Sequence, residues 1–183
     1  MSSVNFCIIA TPKLEREAEL LQLREHYAPS VIQLEPHTRI TGSWVPVELG
    51  EVMAVIEFIS KLRKNLHPLA ITVENWQEAG ELVIGQITQG REELLAIRQS
   101  ITGTEPLPLL KTETDSLPAL ILLRVPDARE RTLAVADANR IGRTLGVIDS
   151  LILIRILPDR SWHRVARFPF GVGRVDFYER LSI

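Results

Sequence analysis

Short runs of aliphatic and β-branched residues alternate along this chain with longer stretches whose apolar positions recur at helical spacing, and that alternation constrains the fold more than any other feature. A helical bundle lacks the first kind of segment and a β-sandwich the second, so the pattern argues for an α/β or α+β protein. Val4 to Ala10 reads as the first strand. Thr11 and Pro12 then supply a capping residue and a proline suited to a first helical turn. Leu14, Ala18 and Leu21 continue on one face until Tyr27, Ala28 and Pro29 stop the run. Val31 to Thr41 reads as extended, broken at Gly42 and Ser43. Leu49, Val52, Met53, Ile56 and Ile59 mark a second helix, whose acidic start (Glu48, Glu51) and basic end (Lys61, Arg63, Lys64) complement its dipole.

Leu69 to Glu74 and Glu81 to Thr88 read as strands, joined as a hairpin across Asn75 to Gly80, and Gly90 to Ile101 as a third helix. Gly103 to Pro118, with Pro106, Pro108, Pro118 and the polar block Lys111 to Ser116, is expected to be a flexible loop serving as a flap or a linker between halves. Leu117 to Val125 resumes as a buried strand. Asp127 to Leu145 follows as a fourth helix, with Ala134, Ala138, Ile141 and Leu145 on one side and Gly146 ending it. Val147 to Leu157 is another buried strand, Pro158 to Ser161 a turn, and Trp162 to Phe168 an antiparallel partner. Each half contains a helix-flanked strand that opens with proline, at Pro36-His37 and at Pro118-Ala119. This parallel is too long in period for a solenoid or propeller.

Composition narrows the function classes. With 183 residues and 45% apolar content the chain makes one domain, residues 1–183, with a sizeable core. Its 21 basic and 23 acidic residues nearly cancel to −2, so no global charge announces a nucleic-acid polymer, although a local basic cleft stays open as a reading. The single cysteine, Cys7, excludes an intrachain disulfide or a thiolate-rich zinc site; in its strand it reads as a buried small hydrophobe, and it suits a reducing cytoplasm. The start of the chain lacks a basic leader region, and no apolar run is long enough to span a membrane, so no membrane partner is expected. No metal and no cofactor is expected either. No histidine or cysteine pair has ligand spacing, Gly171-Val172-Gly173 lacks the third glycine of a dinucleotide loop, and no phosphate-loop lysine motif occurs.

Three segments carry a resemblance. Pro36-His37-Thr38-Arg39-Ile40-Thr41-Gly42 is similar to a motif in which a strand after proline carries His-x-Thr or His-x-Ser, with Arg39 where the hydroxyl stands. Leu117-Pro118-Ala119-Leu120-Ile121-Leu122-Leu123 is similar to the second copy of that motif, with Ala119 and Ile121 in place of histidine and threonine. Ile148 to Leu153, a turn, then Trp162, Val165, Phe168, Pro169 and Gly171 resemble the terminal strand pair. Together they resemble the 2H phosphoesterase superfamily, which includes the 2′-5′ RNA ligase and RNA 2′,3′-cyclic phosphodiesterase-like proteins, over nearly the whole chain. The resemblance implies an α+β, bilobal, pseudo-twofold fold, with antiparallel-rich sheets lining a central cleft and helices outside. It also implies metal-independent hydrolysis of cyclic or 2′-linked phosphodiesters by two facing histidines.

The substitutions bear on that chemistry. Residues i and i+2 of a strand share a face, so His37 and Arg39 project together while Thr38 and Ile40 point away. Opening a cyclic phosphate needs one group to accept a proton and another to donate one, roles that a single histidine does not fill at once. Arg39 can hold phosphate oxygens bidentately but stays protonated, and Ala119 and Ile121 offer no donor. The favoured reading is a catalytically impaired member whose cleft holds a phosphate-bearing nucleotide or RNA end through His37 and Arg39. An active cyclic or 2′-5′ phosphodiesterase with a non-standard site is one alternative, His37 then being catalytic. The other is a non-enzymatic protein-interaction or assembly factor. Plainer readings stand beside these: His37 hydrogen-bonded at a cleft edge, Arg39 paired with Glu35, His163 a solvated hairpin residue, His26 and His67 at helix ends, and Trp44, Trp76 and Trp162 as core or rim.

Overall fold

The computed structural model describes residues 4–29, 35–103, 117–159 and 161–178. Strand β1 (Asn5–Ala10) runs, after Thr11 and Pro12 alone, into the two-residue strand β2 (Lys13–Leu14), so the helix expected from Pro12 begins later, as α1 (Glu17–Tyr27). Strand β3 (Thr38–Arg39) is the described part of the extended segment expected over Val31 to Thr41 that pairs as a strand, residues 31–34 lying outside the described residues. Helix α2 (Leu49–Leu62) and a helical turn at Arg63–Asn65 follow.

Strands β4 (Leu69–Ala79) and β5 (Leu82–Gln89) form a hairpin. Its first strand passes through the expected loop at Asn75 by means of a bulge, and the turn shrinks to Gly80 and Glu81. Helix α3 (Arg91–Thr102) and strand β6 (Ala119–Arg124) flank the expected loop at Gly103 to Pro118, of which residues 104–116 lie outside the described residues. Helix α4 (Ala128–Ile141) stops at Gly142, four residues before the expected end, because Leu145 and Gly146 belong to strand β7 (Thr144–Ile148). Asp149 alone separates β7 from β8 (Ser150–Ile156), so the single strand expected at Val147 to Leu157 is two strands in different sheets. Strands β9 (Trp162–Pro169) and β10 (Asp176–Phe177) complete the fold.

One antiparallel sheet has the order β10-β9-β8-β1-β3 and the other β2-β7-β4-β5-β6. The chain crosses from sheet to sheet twice at one seam, at Thr11–Pro12 and at Asp149. At the other seam the edges β3 and β6 meet where His37 pairs with Ile121. Alternation along β1 explains the layers: Phe6, Ile8 and Ala10 enter the main core with Val52, Val55, Ile56 and Ile59 of α2, while Cys7 and Ile9 face the other way. Helix α2 has no side-chain cap. Burying four aliphatic side chains, at about 1.5–3 kcal/mol each, outweighs the roughly 1 kcal/mol that a cap supplies. Helix α4 buries only Ala134 and Ala138 but is capped, since Asp127 Oδ1 accepts from Glu130 N at 2.8 Å. On the second sheet, the side chain of Asn139 in α4 grips the bulged strand, accepting from Trp76 N at 3.2 Å and donating to Trp76 O at 2.9 Å. Trp44 belongs to the core, 5.8 Å from the ring of Phe6. Among the described residues no helix is long and apolar enough to cross a membrane.

Candidate functional site

The seam between β3 and β6 brings the two motif segments together. His37 N donates to Ile121 O at 3.2 Å and Ile121 N to His37 O at 2.7 Å, an antiparallel pairing that sets Ile121 across from His37. Ala119 begins the same strand two residues earlier, and Arg39 lies two residues beyond His37 on the facing segment. His37 is buried at 6% exposure, its ring 5.9 Å from that of Trp162 and Nδ1 2.9 Å from Glu35 O. A carbonyl only accepts, so Nδ1 carries the proton and Nε2 the lone pair in the neutral ring. Burial above all, opposed by the Glu35 bond and reinforced by the positive charges of Arg39 and Arg24, pushes the His37 pKa down to about 4. At neutral pH this imidazole is uncharged.

Arg39 sits opposite Ile9 of β1, on the sheet face that carries Cys7, Ile9, Ile152 and Ile154 with Trp162 beside them. Its Nε is buried without a hydrogen-bond partner among the described residues, and its carbonyl accepts from Arg98 Nη2 at 2.9 Å. Burial lowers the pKa of both Arg24 and Arg98. Glu35, expected as a partner of Arg39, pairs instead with Arg164 of β9 at 2.6 Å. Thr38 and Ile40 are buried, Ile40 in the main core as the strand alternation requires. Ala119 and Ile121 are half-buried and lie opposite Gln86 and Ile84 of β5. Cys7 is fully buried, its thiol 3.4 Å from Thr41 O, as its strand setting implied. His163, half-buried on β9, lies opposite Arg155 and not at the seam.

Next to this strand is a cavity of about 340 Å³ between Thr11–Leu14 on one side and Ile152, Arg164 and Arg167 on the other, with Glu35 and Pro36 at one end. Neither His37 nor Arg39 lines it. Its cations, Lys13, Arg164 and Arg167, were not among the residues that sequence reasoning singled out, nor were Asp149 and Tyr178. Arg164 and Arg167 are three residues apart, which in a regular strand places them on opposite faces. A bulge at Val165 shifts the phase, pairing Arg164 with Ile154 and Arg167 with Ile152, so both reach the same face. No signal in the sequence marks that bulge. Lys13 pairs with Asp149 at 2.7 Å, and Arg167 with Asp149 at 3.1 Å and Asp176 at 3.6 Å. The Arg164 guanidinium carbon lies 6.0 Å from the centre of the Tyr178 ring.

No protein-family model and no curated protein matches the sequence. Solved structures do match. A phosphoesterase superposes at 11% identity with a TM-score of 0.63, covering 92% of this chain and 99% of its own. E. coli LigT complexed with phosphate matches at 10% identity and a TM-score of 0.58, over 94% of this chain and 100% of LigT. Kluyveromyces marxianus Usb1 matches at 9% identity and a TM-score of 0.52, over 92% and 99%. At such low identity the likeness speaks for backbone architecture alone, and that architecture is the two-sheet α+β fold of LigT and Usb1, the kind of fold the motif segments led us to expect.

Proposed function

We propose that this chain binds a phosphate-bearing nucleotide or RNA end in the cleft between its sheets without hydrolysing it. The observation that carries the reading is the seam bridge, in which Ile121 stands across from His37, with Ala119 two residues before it on the same strand. Proton relay across a scissile phosphate needs a second titratable group there, and neither aliphatic side chain has one. His37 is itself a poor participant, since a pKa of about 4 leaves it uncharged and weakly basic at neutral pH. Losing one general acid or base lowers a rate by about 10²–10⁴-fold. Arg39 is the anchoring cation in this reading, because its buried, unpartnered Nε is a donor that a phosphate oxygen satisfies. His37 adds a neutral contact. LigT has been crystallised with phosphate, ATP and 3′-AMP, which supports ligands of this class for a cleft of this architecture. A fully buried cysteine without a disulfide suits a cytoplasmic setting.

Purified protein incubated with 2′,3′-cyclic nucleotides and short 2′–5′ oligonucleotides is expected to show no turnover above background. It is expected to bind a nucleotide monophosphate, with binding lost in Arg39→Ala. Turnover that disappears in His37→Ala overturns the reading in favour of an active phosphodiesterase. Absence of both turnover and binding favours an interaction or assembly role for the scaffold.

A further inference from the structure

In the cavity, two cations and a hydroxyl converge on one carboxylate, that of Asp149. Asp149 is the single residue between β7 and β8, at the seam where the chain passes from one sheet to the other. Its carboxylate receives three donors: Lys13 Nζ at 2.7 Å from the second sheet, and Arg167 Nη2 at 3.1 Å and the Ser150 hydroxyl at 3.0 Å from the first. Arg167 Nε donates to Ser150 Oγ at 3.1 Å, which orients that hydroxyl toward Asp149. Ser150 is buried, while the Lys13 side chain is 75% exposed, so the site has a fixed wall and a movable one. Burial works to raise the Asp149 pKa, and its hydrogen bonds with Lys13 and Ser150 overcome that to lower it.

We propose that the Asp149 carboxylate occupies the position of a ligand oxyanion, so that a phosphate monoester enters the Lys13–Arg167–Ser150 site only by displacing it. Two cations and a hydroxyl converging on one carboxylate are the donor set that recognises a phosphate. Of the other two acidic residues that line the cavity, Glu17 and Glu35, the second is held by Arg164; Asp176, outside the lining, stands 3.6 Å from the far guanidinium nitrogen of Arg167. The proposal rests on the reading that the cleft takes a phosphate-bearing ligand, and adds that this part of it is self-inhibited. An external oxyanion competes with a tethered carboxylate, so affinity stays low until Asp149 swings away or loses its charge.

The test is a calorimetric titration with inorganic phosphate at fixed pH and low ionic strength, where screening of exposed Lys13 is small. Asp149→Asn keeps the side-chain shape and removes the charge. It is expected to bind phosphate about tenfold tighter than the wild type or more, the range set by losing one competing charged hydrogen-bond acceptor. Adding Arg167→Gln to Asp149→Asn is expected to return affinity to the wild-type level. Asp149→Ser serves as a second uncharged variant, and thermal melts establish that each protein is folded. A folded, uncharged variant with wild-type affinity overturns the proposal, as does tightening that survives Arg167→Gln and Lys13→Met. Arg39 does not line the cavity, so Asp149→Asn with Arg39→Ala is expected to keep the tightening. If Arg39→Ala abolishes nucleotide binding while Asp149→Asn changes nothing, the functional reading stands and the self-occupied site falls. If Asp149→Asn tightens phosphate binding while Arg39→Ala leaves nucleotide binding intact, the self-occupied site stands and the role given to Arg39 falls.

Discussion

His37 makes this protein's stability depend on pH in a way that one substitution isolates. Its pKa in the folded chain is about 4, against 6.5 for a free imidazole, because burial disfavours the charged ring and Arg39 and Arg24 add to the penalty. Above pH 6.5 the ring is neutral in both folded and unfolded chains, and the shift has no effect. As pH falls below 6.5 the unfolded chain takes up a proton that the folded chain refuses, so stability drops by about 1.4 kcal/mol per pH unit until about pH 4. The whole loss is about 3 kcal/mol. Other acids titrate in this window, so the informative quantity is the difference between wild type and His37→Gln, which lacks the titrating group and keeps an amide donor. Urea unfolding, followed by tryptophan fluorescence from pH 7.5 to 4.5, should show the wild type losing about 2–3 kcal/mol more than the variant. A proton NMR titration of the ring should have its midpoint near 4. Parallel pH profiles, or a midpoint near 6.5, would refute the burial argument and restore His37 as an accessible acid–base group.

Three packing features give further predictions. Gly146→Val should destabilise by about 1–3 kcal/mol in thermal or urea unfolding, because a Cβ there would stand 2.6 Å from Leu14 Cδ2 and 3.0 Å from the Lys13 carbonyl. Asn139→Ala removes both hydrogen bonds to the Trp76 backbone and should cost about 1–3 kcal/mol, with faster amide exchange at Trp76 as the local readout. Arg63 is buried and its guanidinium donates to the carbonyls of Pro169 at 2.9 Å, Gly171 at 3.0 Å and Gly173 at 2.6 Å. Arg63→Lys, which lacks the planar fork, should lose about 2–4 kcal/mol and speed proteolysis at residues 170–174.

The architecture was legible where burial imposes a period. Val4 to Ala10 is a short apolar run buried on both faces, while Leu49 to Ile59 and Gly90 to Ile101 each bury one helical face, and each forms the expected element within about three residues. Misplaced boundaries arose where the period continues across a physical break. Leu145 lies four residues after Ile141 and extends the helical spacing of α4, yet Gly142, with φ of 80°, ends the helix and donates to Ala138 O. Pro12 suited a helix start, but Lys13 and Leu14 pair with Val147 and Gly146 instead, a contact with residues more than a hundred positions away. The same distance problem hid half of the candidate site. His37 and Arg39 were visible as an i, i+2 pair on one strand, whereas Lys13, Asp149 and Arg167 meet only because two strands change sheets at one seam and a third is bulged.

The placement of these charges bears on what such a cleft can do. Hydrolysis of a phosphodiester needs donors aimed at oxygens whose charge grows in the transition state, held where water is excluded. Here the water-excluded face beside His37 is built from Cys7, Ile9, Ile152 and Ile154, which strengthen electrostatic interactions nearby but offer no polar side chain beyond a thiol. The donors that converge on an oxyanion, Lys13, Ser150 and Arg167, line an open cavity beyond that face, where Lys13 stays hydrated and an acidic residue already balances them. Lys13 is largely exposed while Arg167 is partly and Ser150 fully buried, and on the proposed reading these donors hold a ligand without accelerating its chemistry. Arg39 stands outside the cavity lining, a cation on the apolar face whose Nε is buried without a hydrogen-bond partner among the described residues. An anion entering from the cavity and reaching Arg39 would pass from hydrated, exchangeable contacts to a dry one. On the proposed reading, such a gradient favours capture of a phosphate group over breaking its ester bond.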